Sequence, residues 1–350
     1  MIARLGLAAA SVAGMLAAAM PVGAQEYFAG KTITFVVPAD PGGSTDTYWR
    51  AVAPFFGKHV PGQPNVIIQN MAGGAANNGS NFVYEQARPD GLTLLTDPWN
   101  AMGVLTKAPG TRIDYSEMSL IGGFPDPVIH YAHRDVVEGG MKDATDIMKA
   151  ERVLLSGSRP DSGTDMMGRL AFDLLGINTR YIPGYSTSPQ RQSALMAREV
   201  DAAGIGYVAY KNTVKPAAGD EVVGLFLHNL QPRASVPDVM DFPSFYKKVK
   251  GEEPSGPKWE MLRTVYLATG VFFQSMWAPP GTPEEVVADL RTGFNALMED
   301  QEFQAMTMKT LGMPIEFVGA EQGSKIVSEL LDNPDPELVK NITEYIASGR

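Results

Sequence analysis

The segment Lys31–Arg50, KTITFVVPADPGGSTDTYWR, limits the fold more than any other part of this chain. A β-branched apolar run ends at Pro38, two glycines follow at 42 and 43, and a helical pattern begins at Ser44. A strand, a glycine turn and a helix start in this order aim several backbone N–H groups and the positive end of the helix dipole at one point. The segment therefore predicts an anion-binding turn in an α/β protein.

The same alternation continues along the chain. Apolar runs that predict strands are Asn65–Gln69, Leu92–Thr96, Val128–Tyr131, Val153–Ser156, Arg180–Ile182, Ala202–Tyr207 and Val222–Leu227. Helical patterns separate most of them, and this order predicts parallel sheets covered on both faces. We expect irregular chain over Asp97–Pro127 and over Gln231–Lys258. Thr282, with Pro283 and Glu285 behind it, predicts a capping box that opens a helix.

Length and composition exclude several classes of protein. A chain of 350 residues favours two domains or one large one. The net charge is −10 and no basic stripe is visible, so neither nucleic acid nor an anionic membrane is expected as the main partner. The absence of cysteine excludes disulfides, thiolate nucleophiles, zinc–thiolate sites and a lipoprotein anchor.

The first 24 residues have the pattern of a secretory signal peptide. Arg4 precedes an apolar run over Leu5–Met20, and small residues lead to Ala24. We predict cleavage after Ala24 and a periplasmic location. An N-terminal membrane anchor is the alternative, but the apolar run is short and rich in alanine for a spanning helix.

Three loops join a predicted strand to a predicted helix and carry glycines with small polar residues. Loop 1 is Pro41–Asp46, loop 2 is Met71–Gly79 and loop 3 is Ser156–Asp165. The carboxyl ends of parallel strands are where ligands collect, so these loops are candidate binding elements. The alternative for loop 1 is a helix cap with a glycine turn and no ligand. Arg159 in loop 3 could pair with a ligand carboxylate or lie exposed on the surface.

Signals of catalysis are weak. There is no Gly-x-Ser-x-Gly, and His130 and His133 lie on a predicted strand-to-loop stretch where their spacing does not converge on a metal. We therefore expect no enzyme activity, no metal site and no cofactor. Trp99 and Tyr207 could line a pocket, although aromatic residues more often pack in cores.

Several segments, taken in order, resemble the substrate-binding proteins of tripartite tricarboxylate transporters, the TctC or Bug type. They are KTITFVVPADPGGSTDTYWR, PGQPNVIIQN, GGAANNG, ARPDGLTLL, the Ser-Gly-Thr-Asp of loop 3 and WAPPGTPEEVVADL, which together span most of residues 27 to 311. The sequence departs from the family pattern at Ala39, where an aromatic residue is usual, and at Met167, where a histidine is common. The far half of the pocket is also unusual, because Gly184-Tyr185-Ser186 replaces a Tyr-Lys-Gly segment.

The resemblance implies an α/β fold of the periplasmic-binding-protein type, in which two doubly wound lobes joined by a hinge hold the ligand in the cleft between them. It implies a first domain of residues 25–126 with 276–350, and a second of residues 127–275. The chain would cross between them near Phe124–Val128 and near Gln274–Ala278. Transferred residue by residue, the candidate site comprises Gly42, Gly43, Ser44, Thr45 and Asp46 in loop 1, with Ser156, Gly157, Ser162, Gly163, Thr164 and Asp165 in loop 3.

The function that follows is capture of a small organic carboxylate in the periplasm and its delivery to integral membrane transporter subunits. The protein would act as a monomer. Two alternatives stay open at this point: a receptor that presents the ligand to a membrane sensor, and a secreted hydrolase. Backbone donors at helix N-termini suit a carboxylate without a buried lysine or arginine, which agrees with the binding function.

Overall fold

The structure is a computed structural model that describes residues 26–42, 44–230, 233, 236, 238–311 and 315–349. The predicted signal peptide and Gly43 lie outside the described residues, as does the side chain of Ser44.

Eleven strands are present in the described part of the chain. They are β1 (Thr32–Val37), β2 (Asn65–Asn70), β3 (Thr93–Asp97), β4 (Ser119–Phe124), β5 (Val128–His133), β6 (Val153–Ser156), β7 (Thr179–Ile182), β8 (Ala202–Gly206), β9 (Val222–His228), β10 (Gln274–Ala278) and β11 (Val318–Gly319). They form two separate sheets, ordered β11-β4-β10-β3-β1-β2 and β7-β6-β8-β5-β9.

Helices lie between the strands in the order that the sequence predicts for an α/β protein. They are α1 (Ser44–His59), α2 (Asn77–Gln86), α3 (Ala101–Leu105), α4 (Gly163–Leu175), α5 (Ser188–Met196), α6 (Tyr207–Ala209), α7 (Lys215–Ala218), α8 (Phe242–Lys250), α9 (Pro257–Thr269), α10 (Glu284–Ala296), α11 (Gln301–Leu311), α12 (Ala320–Leu331) and α13 (Pro336–Ser348). A π-helical turn, Tyr210–Val214, joins α6 to α7, and a six-residue 3-10 helix occupies Ala144–Lys149.

Both sheets place the carboxyl ends of their parallel strands toward loops that precede helices. In the first sheet β1 is parallel to β2 and to β3, and β10 runs antiparallel to β3 and β4. In the second sheet β6 is parallel to β7 and β8, while β5 is antiparallel to β8 and β9. Loops 1, 2 and 3 therefore each follow a parallel strand. The predicted α/β fold class is confirmed.

The chain passes between the two sheets twice. The strands of the first sheet come from residues 32–124 and 274–319, and those of the second come from residues 128–228. The first crossing is residues 125–127, and the second lies between the end of α9 and the start of β10. The division into domains at 126/127 and 275/276 stays a prediction.

Aromatic side chains fill the interior of the first sheet. The rings of Trp99 and Trp277 stack with centroids 5.3 Å apart, and Tyr115 contacts both rings. On the opposite side, Trp49 and Phe124 pack edge to face. These five aromatic residues are each under 4% exposed: Trp49, Trp99, Tyr115, Phe124 and Trp277.

Three local predictions were wrong. The expected irregular stretch Asp97–Pro127 contains β4, which lies inside the first sheet. The expected irregular stretch Gln231–Lys258 contains α8, which Asp241 caps by accepting a hydrogen bond from the backbone N–H of Ser244. Thr282 does not cap α10: its hydroxyl donates to the carbonyl of Pro279, and Pro283 precedes the helix without a side-chain cap.

Candidate functional site

A cavity of about 380 Å³ lies at the N-terminal end of α4, and we call it the α4 cavity. Loop 3 and the start of α4 form one wall, and the segment that follows β3 forms the opposite wall. Its lining residues are Trp99, Asn100, Met102, Ser158, Arg159, Asp161, Ser162, Gly163, Thr164, Ser186 and Thr269. The structure thus brings four of the predicted site residues, Trp99 and three residues of loop 3, around one space of ligand size.

The first turn of α4 is left uncapped. Ser162 occupies the N-cap position, but its side chain makes no capping hydrogen bond. The first intrahelical bond runs from the N–H of Met166 to the carbonyl of Ser162, so the N–H groups of residues 163–165 have no intrahelical acceptor. A helix of 13 residues adds the positive end of its dipole at this place. This wall of the α4 cavity can therefore hold an anion.

Asp165 organises loop 3 from within. Its Oδ2 accepts hydrogen bonds from the N–H of Ser158 at 2.6 Å, the hydroxyl of Ser158 at 3.0 Å, the N–H of Arg159 at 3.1 Å and the hydroxyl of Tyr181 at 3.1 Å. The side chain is buried, and Gly157 has no room for a Cβ beside it and the ring of Tyr181. The amides of Ser158 and Arg159 thus donate to the carboxylate of Asp165. The amides in the first turn of α4 have no intrahelical acceptor and can donate to a ligand.

Arg191 balances the buried charge of Asp165. Its Nη2 lies 3.2 Å from Oδ1 of Asp165, and both side chains are at most 8% exposed. The same guanidinium donates to the carbonyls of Gly204 at 2.6 Å and Tyr185 at 3.0 Å. Arg191 therefore joins loop 3 to β8 and to the segment after β7, and every one of these groups lies behind the cavity wall.

Loop 1 is held in the same manner by Asp46. This carboxylate accepts from the N–H of Gly42 at 2.7 Å, Nε of Arg50 at 2.9 Å and Nδ2 of Asn70 at 2.9 Å. The hydrogen bond from Arg50 outweighs the opposing effect of burial and, with the bonds from Gly42 and Asn70, lowers the pKa of Asp46 to about 2. Asp46 is thus an ionised structural group that fixes loop 1 against the end of β2.

The remaining predicted residues take different positions. The hydroxyl of Thr45 is buried and accepts a hydrogen bond from Nε2 of Gln274 at 3.3 Å. The hydroxyl of Ser156 is buried and donates to the carbonyl of Ala202. Gly42 lines a different cavity, which is described below. Tyr207 is half-buried and lines neither that cavity nor the α4 cavity, whereas the next residue, Val208, lines the former. Among the described residues, Gly42 of loop 1 and the lining residues of loop 3 therefore border separate cavities.

Asn100 is a residue of the site that the sequence reasoning did not select. It lies in the α4 cavity opposite loop 3, and its Oδ1 accepts a hydrogen bond from the N–H of Gly103 at 3.2 Å. Its position three residues after β3, a strand that is parallel to β1, was the signal that could have identified it. A second cavity of about 800 Å³ shares Asn100, Met102, Arg159 and Asp161 with the α4 cavity, so the two spaces adjoin.

Loop 2 forms a wall of that larger cavity, and its backbone is strained. Ala75 and Ala76 have φ values of 55° and 78°, a region that residues with a Cβ seldom adopt. Strain of this type is found at functional sites. Arg159 and Asp161 form an ion pair at 3.0 Å between the two cavities, and both side chains are more than half exposed. Arg159 thus lies partly exposed and paired with a neighbouring carboxylate.

Trp99 reaches the α4 cavity from the core of the first sheet. Its ring is 3% exposed, and its Nε1 donates to the carbonyl of Leu267 at 2.9 Å. Behind it, Asp97 accepts hydrogen bonds from the hydroxyls of Ser80, Tyr115 and Ser275. Burial raises the pKa of Asp97 to about 7, against the effect of these three hydroxyls. The α4 cavity therefore borders a hydrogen-bonded cluster of buried residues.

His130, which the sequence places with His133 on a strand-to-loop stretch, forms a buried pair with His228. Nε2 of His228 lies 2.8 Å from Nδ1 of His130, and burial lowers the pKa of both imidazoles, to about 3 for His130. Both rings are thus neutral members of the core of the second sheet. In the described ranges, no three His, Asp or Glu side chains come together as a metal site would require. No helix within those ranges is both long and apolar enough to cross a bilayer.

Comparison with solved structures shows which proteins share this fold. A TctC solute-binding protein from Polaromonas, solved without ligand, has a TM-score of 0.67 and 16% sequence identity, over 91% of this chain and 98% of that one. MatC from Rhodopseudomonas palustris with bound malate has a TM-score of 0.57 and 20% identity, over 90% and 99%. An R. palustris protein with adipate has a TM-score of 0.62 and 16% identity, over 91% and 97%.

Sequence comparison gives a shorter match. A UPF0065 protein from the TAR-I ttuE–ttuC′ intergenic region of Agrobacterium vitis is 29% identical over 175 residues, which cover 47% of this chain and 48% of the relative. The chain thus spans about half the length of the curated relative that it matches. No family model matches the chain.

Proposed function

We propose that this chain, which has the fold of the TctC and Bug solute-binding proteins, captures a small organic acid in the α4 cavity. The observation that carries the proposal is the uncapped first turn of α4, which faces Asn100 across a space of about 380 Å³. Backbone N–H groups at a helix N-terminus bind a carboxylate without a charged partner. Proteins of the same fold have been solved with malate and with adipate, which supports a ligand of this class.

Binding by backbone groups demands that loop 3 keeps its shape when the site is empty. Asp165, Tyr181 and Arg191 meet this demand, because they fix the loop through contacts that do not involve a ligand. A donor set that is already oriented loses little conformational entropy when the acid arrives. The same arrangement needs no nucleophile or general base, so we propose a binding protein and not an enzyme.

We further propose that the protein acts in the periplasm, after removal of a signal peptide ending at Ala24, and passes its ligand to integral membrane transporter subunits. The two sheets would act as lobes that close on the acid and release it at the membrane. The pattern of residues 1–24 and the solute-binding proteins that share the fold support this role. Uptake of the bound acid by cells that lack only this protein is expected to fall, and unchanged uptake would contradict the transport role.

Calorimetric titration with malate, succinate, adipate, citrate and benzoate tests the binding function. We expect at least one acid to bind the purified protein with a stoichiometry of one. Replacing Ser162 by aspartate is expected to lower the affinity for that acid by about 30-fold, because the new carboxylate accepts hydrogen bonds from the α4 amides and repels the ligand. The stability of the empty protein should be unchanged or slightly higher, since aspartate is a good N-cap residue.

Gly319→Asp is the matched control. Gly319 is the uncapped N-cap residue of α12, and a Cβ there meets no atom within 4 Å. It adds the same charge at another helix N-terminus and should leave the affinity for the acid unchanged. If no acid of the panel binds, the proposed function is wrong. If an acid binds and Ser162→Asp leaves its affinity unchanged, the site lies elsewhere.

A further inference from the structure

A third cavity, of about 450 Å³, lies where the chain crosses between the two sheets, and we call it the crossover cavity. One wall consists of α1 and α11, and the other consists of residues 208–213, which follow β8. Pro125, Asp126 and Phe273 of the two crossings close it from the side. It shares no described lining residue with the α4 cavity, so it is a separate space.

Most of its surface is apolar. Its apolar lining includes Val52, Phe124, Val208, Phe273, Phe303 and Met306. Phe273 is 37% exposed, which is unusual for a side chain of its size and indicates that one side of the ring has nothing packed on it. A cavity of this volume and lining suits a small molecule with an apolar body.

One polar side chain in the lining of the cavity has no hydrogen-bond partner among the described residues. The hydroxyl of Tyr48 is buried and makes no hydrogen bond to any described residue. Burial and the nearby charge of Asp126 raise the pKa of Tyr48 well above its usual value, so the hydroxyl keeps its proton and can donate it to a ligand. A buried hydroxyl without a partner costs free energy that a ligand atom could recover.

The charges in the cavity disfavour an anion. Asp126 is buried and accepts a hydrogen bond from the N–H of Val208 at 3.3 Å. Arg233 is the only cationic side chain among the described residues that line the cavity, and it is paired with the carboxylate of Glu316. The Arg233–Glu316 pair is neutral overall, so the ionised form of Asp126 leaves the cavity with a net negative charge that would repel an organic acid and tolerate a neutral molecule.

The backbone of the second wall is unusual. Asn212 and Thr213 line the cavity from the π-helical turn Tyr210–Val214. Such turns are rare and occur often at functional sites, because the extra residue widens the helix and moves side chains toward a ligand. This is an observation independent of the cavity and of the unpaired hydroxyl.

We propose that the crossover cavity is a second ligand site, which takes a small, uncharged, largely apolar molecule with a single hydroxyl or other neutral polar group. The apolar body lies against Val208, Phe273 and Met306, and the polar group bonds the hydroxyl of Tyr48. The site differs in chemistry from the α4 cavity and does not depend on the function proposed for it.

Calorimetry and ligand-observed NMR with 4-tert-butylphenol test this site on the full-length mature chain. We expect the phenol to bind with a stoichiometry of one, and 4-tert-butylbenzoate to bind at least tenfold more weakly. Tyr48→Phe should lower the affinity for the phenol by about fivefold, which is the effect of losing one neutral hydrogen bond. Ala209→Trp, which places an indole in the cavity, should abolish binding.

Tyr131→Phe is the matched control, because Tyr131 carries the other buried hydroxyl without a partner in the described chain and does not line the cavity. It should leave the phenol affinity unchanged. No binding of the phenol up to millimolar concentration would overturn the proposal. So would binding that Tyr48→Phe leaves intact, a result that stands even if Ala209→Trp fails to fold. Equal binding of the benzoate would overturn the preference for a neutral ligand.

Discussion

Replacing Arg191 by methionine is expected to lower the free energy of unfolding by about 3–5 kcal/mol. The substitution keeps a long apolar side chain but removes the cation that balances Asp165, and both groups are at most 8% exposed. A buried carboxylate without its partner is among the most costly defects in a protein interior. The carbonyls of Gly204 and Tyr185 lose their donor as well. Loop 3 should then lose its fixed shape, and with it the affinity of the α4 cavity for an organic acid.

Urea denaturation followed by circular dichroism measures this effect. Arg263→Met is the control, because Arg263 forms an ion pair with Glu329 on the surface, where both side chains are more than a third exposed. It should change the unfolding free energy by less than about 1 kcal/mol. The double variant Asp165→Asn/Arg191→Met should recover part of the loss, since it carries no uncompensated charge. A loss for Arg191→Met no larger than that of the control would refute the role assigned to Arg191.

Replacing Asp97 by asparagine is expected to make stability depend on pH in a way that the unaltered chain does not. Burial raises the pKa of Asp97 to about 7, so the native state binds a proton between pH 7 and about 4 that the unfolded chain lacks. The stabilisation is complete below pH 4 and is lost as the pH rises through 7. Asparagine cannot bind this proton. As the pH is lowered from 6.5 to 4.5, the free energy of unfolding of the unaltered chain should therefore rise by about 2–3 kcal/mol relative to that of Asp97→Asn.

The buried histidine pair has the opposite effect in the same range. Because burial lowers the pKa of His130 and His228, the unfolded chain binds protons below pH 6.5 that the native state excludes. Their contribution is present above pH 6.5 and is lost as the pH falls. Asp97 and Asp126, whose pKa burial also raises to about 7, offset the two histidines. The unaltered chain should thus show a nearly flat contribution from these four groups between pH 6.5 and pH 4.5.

Urea titrations at pH 4.5, 5.5 and 6.5 measure the difference between each variant and the unaltered chain. Asp46→Asn is the control without a titration in this range, because the pKa of Asp46 is lowered to about 2. Its stabilisation is present above pH 4 and is lost only below it, so the difference from the unaltered chain should stay constant over these three pH values. A difference for Asp97→Asn that does not change with pH would show that Asp97 stays ionised in the native state.

The sequence predicted the parallel strands well and did not predict β4, β10 or β11. Strands β1 and β2 are rich in β-branched residues and lead into glycine- and asparagine-containing loops, and β3 is an apolar run that follows the Arg88–Gly91 turn, which are local signals of parallel strands in an α/β protein. Strand β4 reads SLIGGF, and two adjacent glycines indicate a loop. The structure explains them: a Cβ on Gly122 would lie 2.2 Å from the ring of Phe294, and one on Gly123 would lie 2.4 Å from Phe272. These contacts are made by residues distant in sequence, so no local pattern contains them.

Helix α8 was predictable in principle. Asp241 and Ser244 have the spacing of an N-cap, and Phe242 and Phe245 are both buried three residues apart on one face. The many lysines that follow suggested a solvated loop, and they occupy the last turn of the helix, where the dipole favours them. The N-cap spacing and the buried pair of phenylalanines are thus local signals of α8, whereas the lysine content alone does not distinguish a helix end from a loop.

The candidate site could be predicted as a set of loops but not as an arrangement of side chains. A strand, a glycine turn and a helix start are local features, so loop 3 and the start of α4 were found from the sequence. The partners of Asp165 and Asp46 come from Arg191, Tyr181 and Asn70, which only the folded chain brings near. The crossover cavity is assembled from segments near residues 48, 126, 209, 273 and 306, and no motif in any one of them indicates it.

The placement of the two crossings has a mechanical consequence. The first crossing leaves the first sheet at the end of β4, and the second returns to it at the start of β10, and these two strands are hydrogen-bonded neighbours. The first crossing enters the second sheet at β5, which lies next to the edge strand β9. Two connections side by side permit rotation about the line through them and resist shear. The far edges, β2 and β7, would then travel furthest, whereas atoms beside the crossings would hardly move. A molecule bound beside the crossings would lie close to the rotation axis. A displacement of a fraction of an ångström at that place would therefore correspond to a much larger displacement of the outer strands.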